Sequence, residues 1–422
     1  MSGIERLKGH LVETGGIGRP GSVRVERSDQ LSLDIGVTRP TGSKENRQIR
    51  DYAVRCMKEA GLRVEFDAVG NIFGRREGST PGLGSVMCGS HVDSVRNGGM
   101  FDGALGVFGA IEAVQRLKEE NFENKRPLEV VIFTGEEASA FKQVLLGSSV
   151  LTGKVPLEQA LDLKDEKGGT LRDALDGMGY RGTSIRRLDD VEFMIEMHIE
   201  QGPILYEEGT PIGIVQDITG LAWMLVTITG QENHAGTTPM KMRKDALVAA
   251  ADVVTFVNKR ATEMVEELGS TTVGTVGRLN VFPNGTNIVP GKVELGIDIR
   301  DVNRKNMEDL IQITVDFIEN LEARYDVTTE IQMPAIHNPV PLSKEVTHVI
   351  EDSAKKLGIP SKRMSSGAGH DAQNIAEKIK TGMIFVPSVQ GISHSPLEWT
   401  EWADAEKGLE VLVETLKSLS KE

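Results

Sequence analysis

The sequence predicts an α/β protein: a largely parallel sheet with helices on both faces, interrupted by a smaller inserted α+β unit. Three observations carry this. Continuous apolar runs such as 128–134 and 193–200 alternate with helical patterns, which is how a sheet buried on both faces reads. From about residue 217 to 333 the texture changes to β-α-β-β-α-β, the order of a ferredoxin-like unit. Residues 334–422 then return to the first pattern, so the expected division is 1–216, 217–333 and 334–422, the middle part inserted. A length of 422 residues agrees with two domains.

Taken in order, residues 15–39 are rich in Gly, Arg, Ser and Asp and read as irregular. A helix is expected over 43–60. Ser43 is its N-cap, Gly61 its stop, and Ile49, Tyr52, Ala53, Cys56, Met57 and Ala60 form its apolar stripe. Strands over 64–69 and 71–75 flank the turn residue Gly70. The short apolar run 86–88 leads into the stretch that organises the chain, Gly89 through Gly103. His91 and Asp93 are two apart, so both would face one side if the strand persists. That spacing suits a histidine ligand whose second ring nitrogen is held by a carboxylate. A glycine-rich loop follows, then Asp102 at the start of a helix over 104–120. That aspartate could equally be a cap.

The strand 128–134 runs into Gly135-Glu136-Glu137-Ala138-Ser139. Acidic residues at a strand's C-terminal end sit where open α/β sheets place ligands, and a solvated turn is the alternative. Residues 151–190 are polar with two helix-like pieces, and the strand 193–200 ends in His198-Ile199-Glu200-Gln201-Gly202-Pro203. The inserted unit shows strands at 222–229, 272–279, 293–299 and 327–333, with helices at 240–268 and 306–325. Within 293–299 apolar residues alternate with Glu294, Gly296 and Asp298, and Arg300 continues that polar face. Beyond it come a helix at 346–357, the glycine-rich loop 365–371, a strand at 383–387, Ser393-His394-Ser395-Pro396-Leu397-Glu398, and a closing amphipathic helix at 403–419.

Composition removes several function classes. A net charge of −14 opposes nucleic acid or an anionic membrane as partner, because nothing neutralises phosphates. No apolar run reaches membrane-spanning length. Residues 1–8 lack the apolar core of a signal peptide. The two cysteines, Cys56 and Cys88, read as small core residues in a reducing cytoplasm. Of 8 histidines, His91, His198, His234, His370 and His394 lie in glycine-rich or strand-end contexts, while His10, His337 and His348 read as surface or satisfied core residues. Nitrogen and carboxylate ligands without thiolate suit Zn²⁺, and also Mn²⁺, Co²⁺ or Ni²⁺.

Several motifs together resemble one family. They are Gly89-Ser90-His91-Val92-Asp93, Gly98-Gly99-Met100-Phe101-Asp102-Gly103, Glu136-Glu137, His198-Ile199-Glu200-Gln201-Gly202-Pro203, Asn233-His234-Ala235-Gly236, Gly367-Ala368-Gly369-His370-Asp371 and Ser393-His394-Ser395-Pro396. In content and order they resemble the hydantoinase/carbamoylase branch of the M20 metallopeptidase-like amidohydrolases. That branch includes N-carbamoyl-L-amino-acid hydrolases, β-ureidopropionases and allantoate amidohydrolases. The resemblance implies a cytoplasmic homodimer acting on a small ureido acid, with two divalent ions per subunit and an inserted lid and dimerisation domain. It implies one ion on His91 and His198, the other on Glu137 and His394, and Asp102 bridging them. Glu136 would be the general base and Asp93 would orient His91. His234 from the partner subunit, Asn287 and Arg300 would reach the substrate, with Gln201, Gly369 and His370 lining the same pocket. The chain departs from the family pattern at Ala138, often Gly, and at Ala140, often Arg, which bears on pocket shape.

Overall fold

Four parallel strands place the site-bearing segments side by side. The computed structural model describes residues 3–21 and 36–421, so residues 22–35 of the stretch expected to be irregular lie outside the described residues. In chain order the strands among the described residues are β1 (Arg63–Phe66), β2 (Ile72–Arg76), β3 (Ser85–His91), β4 (Leu128–Phe133), β5 (Val191–Ile199), β6 (Ile212–Ile218), β7 (Gly220–Thr229), β8 (Asn233–His234), β9 (Val273–Phe282), β10 (Ile288–Val289), β11 (Lys292–Asp301), β12 (Thr328–His337), β13 (Val340–Pro341), β14 (Ser361–Ser366) and β15 (Lys380–Val386). The chain divides into two compact units, Met1–Gln216 with Pro341–Glu422, and Asp217–Val340.

The first unit is built on a sheet of order β1-β2-β4-β3-β5-β15-β6-β13, with β14 paired to β6. Strands β4, β3, β5 and β15 are mutually parallel. His91 pairs with Phe133, and Phe385 with His198, so the C-terminal ends of these four strands are level. β3 and β4 are buried throughout, which explains their unbroken apolar character. The helix Ala104–Glu119 is buried almost all round, because it lies against β3 on one side and the helices Gly3–Gly15 and Trp402–Ser420 on the other. Gly106 allows this close approach: a Cβ there would stand 2.3 Å from the Met197 carbonyl oxygen. The buried Glu112 on this helix is paired with Arg6, at 2.8 Å.

Helix Lys44–Glu59 begins where expected, because the Ser43 hydroxyl accepts the Asn46 N–H at 3.0 Å. Several elements were not anticipated, β14 and the short helices Leu146–Leu151 and Ile204–Glu208 among them, and two show why. Helix Gly3–Gly15 shows only Leu7 and Leu11 as fully buried apolar residues, too thin a stripe to read. β6 is a short run after Thr210-Pro211 whose partner, β15, is far away in sequence.

In the second unit β12, β7, β11 and β9 form an antiparallel sheet in that order. With strands β7, β9, β11 and β12 and helices Ala246–Leu268 and Arg304–Tyr325, the order along the chain is β-α-β-β-α-β. The period-2 pattern is visible in burial: Val293, Leu295, Ile297 and Ile299 join Met224, Val226 and Ile228 in a core with Ala250, Val253, Val257, Leu310 and Ile318. The long helix starts at Ala246 rather than 240, because Asp245 caps the Leu247 and Val248 N–H groups. A boundary at 333/334 would fall inside β12, which runs on to pair Ile336 with Ala222 and His337 with Leu221. No helix among the described residues is long and apolar enough to cross a membrane.

Candidate metal centre

β3 ends at His91, so Asp93 lies beyond the strand and does not share its pleat. The His91 Nδ1 lies 3.1 Å from the Asp93 carbonyl oxygen and 3.8 Å from the Asp93 carboxylate. A carbonyl only accepts, so Nδ1 carries the proton and Nε2 presents its lone pair. The expected orienting role thus falls to the Asp93 backbone. Its carboxylate instead accepts the N–H groups of Glu136 and Glu137, each at 3.3 Å, and so fixes the loop after β4. His198, at the end of β5, repeats the arrangement: Nδ1 donates to the Ile199 carbonyl at 2.9 Å and Nε2 faces inward.

Asp102 is the meeting point. Its Oδ1 lies 3.3 Å from His198 Nε2 and 3.7 Å from His91 Nε2, while its Oδ2 lies 3.2 Å from His394 Nε2. Glu137 Oε2 is 3.4 Å from the same His394 nitrogen, and Glu136 Oε2 is 3.8 Å from His91 Nε2. Gly103, at φ +64°, is required beside it, since a Cβ would sit 2.5 Å from the His91 ring. Gln201 Nε2 donates to Asp102 Oδ2 at 3.2 Å and lies 3.4 Å from His394 Nε2.

Burial would push the Asp102 carboxyl up, but hydrogen bonds from His198 and His394 hold it well below the usual carboxylate range. His198 is pulled down by burial and, more strongly, pushed up by Asp102, to about 9. Burial and the neighbouring acids raise Glu136 and Glu137 well above the ordinary range. One Glu137 oxygen, Oε1, is buried without a hydrogen-bond partner. Two overlapping groups, His91–Asp102–His198 and Asp102–Glu137–His394, offer ligand atoms within 4.8 Å of one another, and Glu136 joins a third with His91 and Glu137. Histidine Nε2 atoms turned toward the carboxylates, an excess of buried acid and an orphan carboxylate oxygen fit divalent cations. The fourth group, Glu196–His198–His370, is closed, because Glu196 already accepts from Ser90 Oγ and the Ala372 N–H.

Other expected residues fall as follows. His370 is buried, its ring 4.6 Å from that of His198 and its Nε2 paired with Ser366 Oγ at 3.0 Å, so it backs His198. In the second unit the β8–β10 ribbon brings His234 beside Asn287, whose carbonyl accepts the Ala235 N–H. His234 is exposed, and its Nδ1 accepts from the N–H groups of Gly236 and Thr237, which leaves Nε2–H as a donor in the neutral ring. Arg300 forms a two-bond pair with Asp298, at 2.9 and 3.0 Å. Ala138 has φ +53°, a conformation that favours glycine.

Two residues were missed. Arg39 is fully buried and donates to the Thr14 carbonyl, with Nε and Nη2 unpartnered. Burial draws its pKa down to about 10, while Asp93, Glu398 and Asp102 act the other way, so a fixed cation lies near the acids. Nothing in the stretch around it marks a buried arginine. Glu398 accepts the N–H groups of Phe101 and Asp102 and the Ser393 hydroxyl. Its position in the same short stretch as His394 was the available signal.

The profile of Peptidase family M20/M25/M40 matches residues 87–418. An N-carbamoyl-L-amino-acid amidohydrolase of Pseudomonas sp. (strain NS671) is 41% identical, over 98% of this chain and 97% of that one. An allantoate amidohydrolase of Bacillus subtilis (strain 168) is 36% identical, over 92% of this chain and 94% of that one. Among solved structures, a hydantoinase/carbamoylase family amidase from Burkholderia multivorans superimposes with a TM-score of 0.91 at 35% identity, covering 99% of this chain and 98% of that chain.

Proposed function

The chain belongs to peptidase family M20/M25/M40, alongside the hydantoinase/carbamoylase amidases, and from that membership we propose a metal-dependent amidohydrolase for N-carbamoyl-L-amino acids. Water adds to the carbamoyl carbon, the terminal C–N bond breaks to release ammonia, and the resulting carbamate loses CO₂ to leave the amino acid. The observation that carries the reading is Asp102, flanked by His91 and His198 on one oxygen and by His394 on the other.

In this reading His91 and His198 would hold one divalent ion and Glu137 and His394 a second, with Asp102 available to both; Zn²⁺, Mn²⁺, Co²⁺ and Ni²⁺ all suit the donors. Such a pair supplies a lowered pKa for water and positive charge beside the developing oxyanion. Glu136 takes a proton from the attacking water and passes it to the departing nitrogen. His234, acting in the partner's site, offers its Nε2–H to the ureido oxygen. Arg300, pre-oriented by Asp298, and Asn287 are read as groups for the substrate's carboxylate end, and Gln201 and Gly369, with His370 behind them, as pocket-lining residues. The protein is read as a cytoplasmic homodimer joined through Asp217–Val340; Cys56 and Cys88, both buried and unbridged, support the compartment.

Allantoate or 3-ureidopropionate on the same machinery is the second reading, favoured by the similarity to an allantoate amidohydrolase. A peptidase is disfavoured because His198-Ile199-Glu200-Gln201-Gly202-Pro203 and Gly367-Ala368-Gly369-His370-Asp371 resemble the carbamoylase branch, and a catalytically silent binding protein because every expected ligand and Glu136 are present. The test is ammonia release from a panel of N-carbamoyl-L-amino acids, allantoate and 3-ureidopropionate, with metal content measured on the same samples. Turnover of N-carbamoyl amino acids above the others is expected. Release from none of them at full metal content would overturn the reading.

A further inference from the structure

We propose that Glu398 is a positioning residue that staples the Asp102 loop to the His394 loop and thereby sets the geometry in which the second ion binds. The inference rests on the two-ion reading above. Glu398 Oε1 accepts the backbone N–H groups of Phe101 at 3.0 Å and Asp102 at 3.1 Å, across 296 residues of chain in the latter case. Its Oε2 accepts the Ser393 hydroxyl at 2.8 Å. The side chain is 2% exposed, so these bonds do not compete with water.

Each arm holds something that needs holding. Asp102 lies on a loop rather than within a strand or helix. His394 has φ +53°, a conformation that persists in a non-glycine residue only where the surroundings over-determine it, and its side chain is half exposed. The hydroxyl bond to Glu398 is made by the residue immediately before that strained position. Ser393 Oγ also lies 3.3 Å from Gln201 Nε2, the group that donates to Asp102, so the staple closes a ring around the proposed bridging carboxylate. The loop is shaped to receive it. A Cβ on Gly99 would stand 1.9 Å from Glu398 Oε1, and only glycine leaves room for the carboxylate.

The test titrates metal-free protein with Zn²⁺ alone. Outer partners of ligands typically contribute about 10- to 100-fold in metal affinity. Glu398→Ala and Ser393→Ala are each expected to weaken the less tightly held ion by about that factor. Glu398→Gln is expected to bind near wild-type strength: its amide oxygen still accepts both N–H groups and its NH₂ can donate to a rotated Ser393 hydroxyl. The double variant Ser393→Ala/His394→Ala should be no worse than His394→Ala alone. Wild-type affinity in Ser393→Ala, or additive losses in the double variant, would overturn the proposal. Ser393→Ala removes a single hydroxyl and carries this arm should Glu398→Ala fail to fold. If His394→Ala binds as many ions as wild type and as tightly, the placing of the second ion on His394 fails. The staple is then decided by amide exchange in metal-free protein, where Glu398→Ala, but not Glu398→Gln, should speed exchange at Phe101 and Asp102. Unchanged exchange refutes it.

Discussion

Asp93→Asn separates two roles for this aspartate. Its carboxylate, 1% exposed, receives the Glu136 and Glu137 N–H groups, one on each oxygen. Asparagine has one acceptor oxygen, so its NH₂ would face the other N–H. That orphans a buried donor, worth about 1–3 kcal/mol, and turns the remaining bond from charged to neutral. Loss of a like charge beside the two glutamates offsets part of this, leaving a net destabilisation of about 1–3 kcal/mol. A fold of ordinary stability survives that loss. His91 keeps its orientation, because its Nδ1–H goes to the Asp93 carbonyl. Urea denaturation should show the stability loss. Metal content at His91 and His198 should stay normal, and kcat should fall about 10- to 100-fold as Glu136 shifts. Loss of metal with kcat per bound metal intact would refute the argument and return Asp93 to a histidine-orienting role.

Glu136→Gln should keep fold and metal and lose about 10²–10⁴-fold in kcat, since the amide cannot accept the proton; near-normal kcat at full occupancy removes Glu136 from that role. Metal removal should lower Tm more as pH rises. Glu136, Glu137 and Asp371 are raised in the metal-free fold, mainly by burial, so their stability is complete below the unfolded carboxyl pKa and is lost as pH climbs through the folded values. His198, raised to about 9, adds a loss from about 6.5 upward, the unfolded value. Parallel Tm–pH curves for loaded and metal-free protein would contradict this. Mixing a dimer inactivated by Glu136→Gln with one inactivated by His234→Ala should restore activity, each hybrid having one site with both groups; no recovery despite subunit exchange places His234 in its own chain's site. Ala138→Gly should raise stability by up to about 1 kcal/mol in urea denaturation, because αL strain at φ +53° outweighs the added freedom of the unfolded chain.

Much of this was legible because burial on both faces writes strands such as β3, β4 and β15 as unbroken apolar runs, and the candidate ligands lie at or soon after their ends: His91 closes β3, and Glu137 and His394 are in the loops after β4 and β15. The alternation in β11 likewise exposed a one-sided sheet. What the chain hid was long-range. Whether β3 persisted to Asp93 depends on β4, which ends opposite His91, so the pleat argument for a shared face failed. Helix Gly3–Gly15 is held by contacts with the helices Ala104–Glu119 and Trp402–Ser420 rather than by a strong stripe of its own. Glu398 and Arg39 act through partners far off in sequence, and no local pattern announces a buried charge.

The inserted position of Asp217–Val340 has a consequence for biosynthesis. β3, β4 and β5 are made before the insertion, whereas β15, which lies between β5 and β6 in the sheet, is made after it. The second unit is contiguous, and its core draws on its own residues alone, so it can be complete while β5 still presents an open edge. An unpaired apolar edge is a template for association with other chains. The nascent protein therefore carries an apolar, unpaired edge around Phe193, Ile195 and Met197 until β15 is made. Substitutions that slow the docking of β15 onto that edge should be seen first as lost soluble yield, with normal specific activity in the molecules that escape.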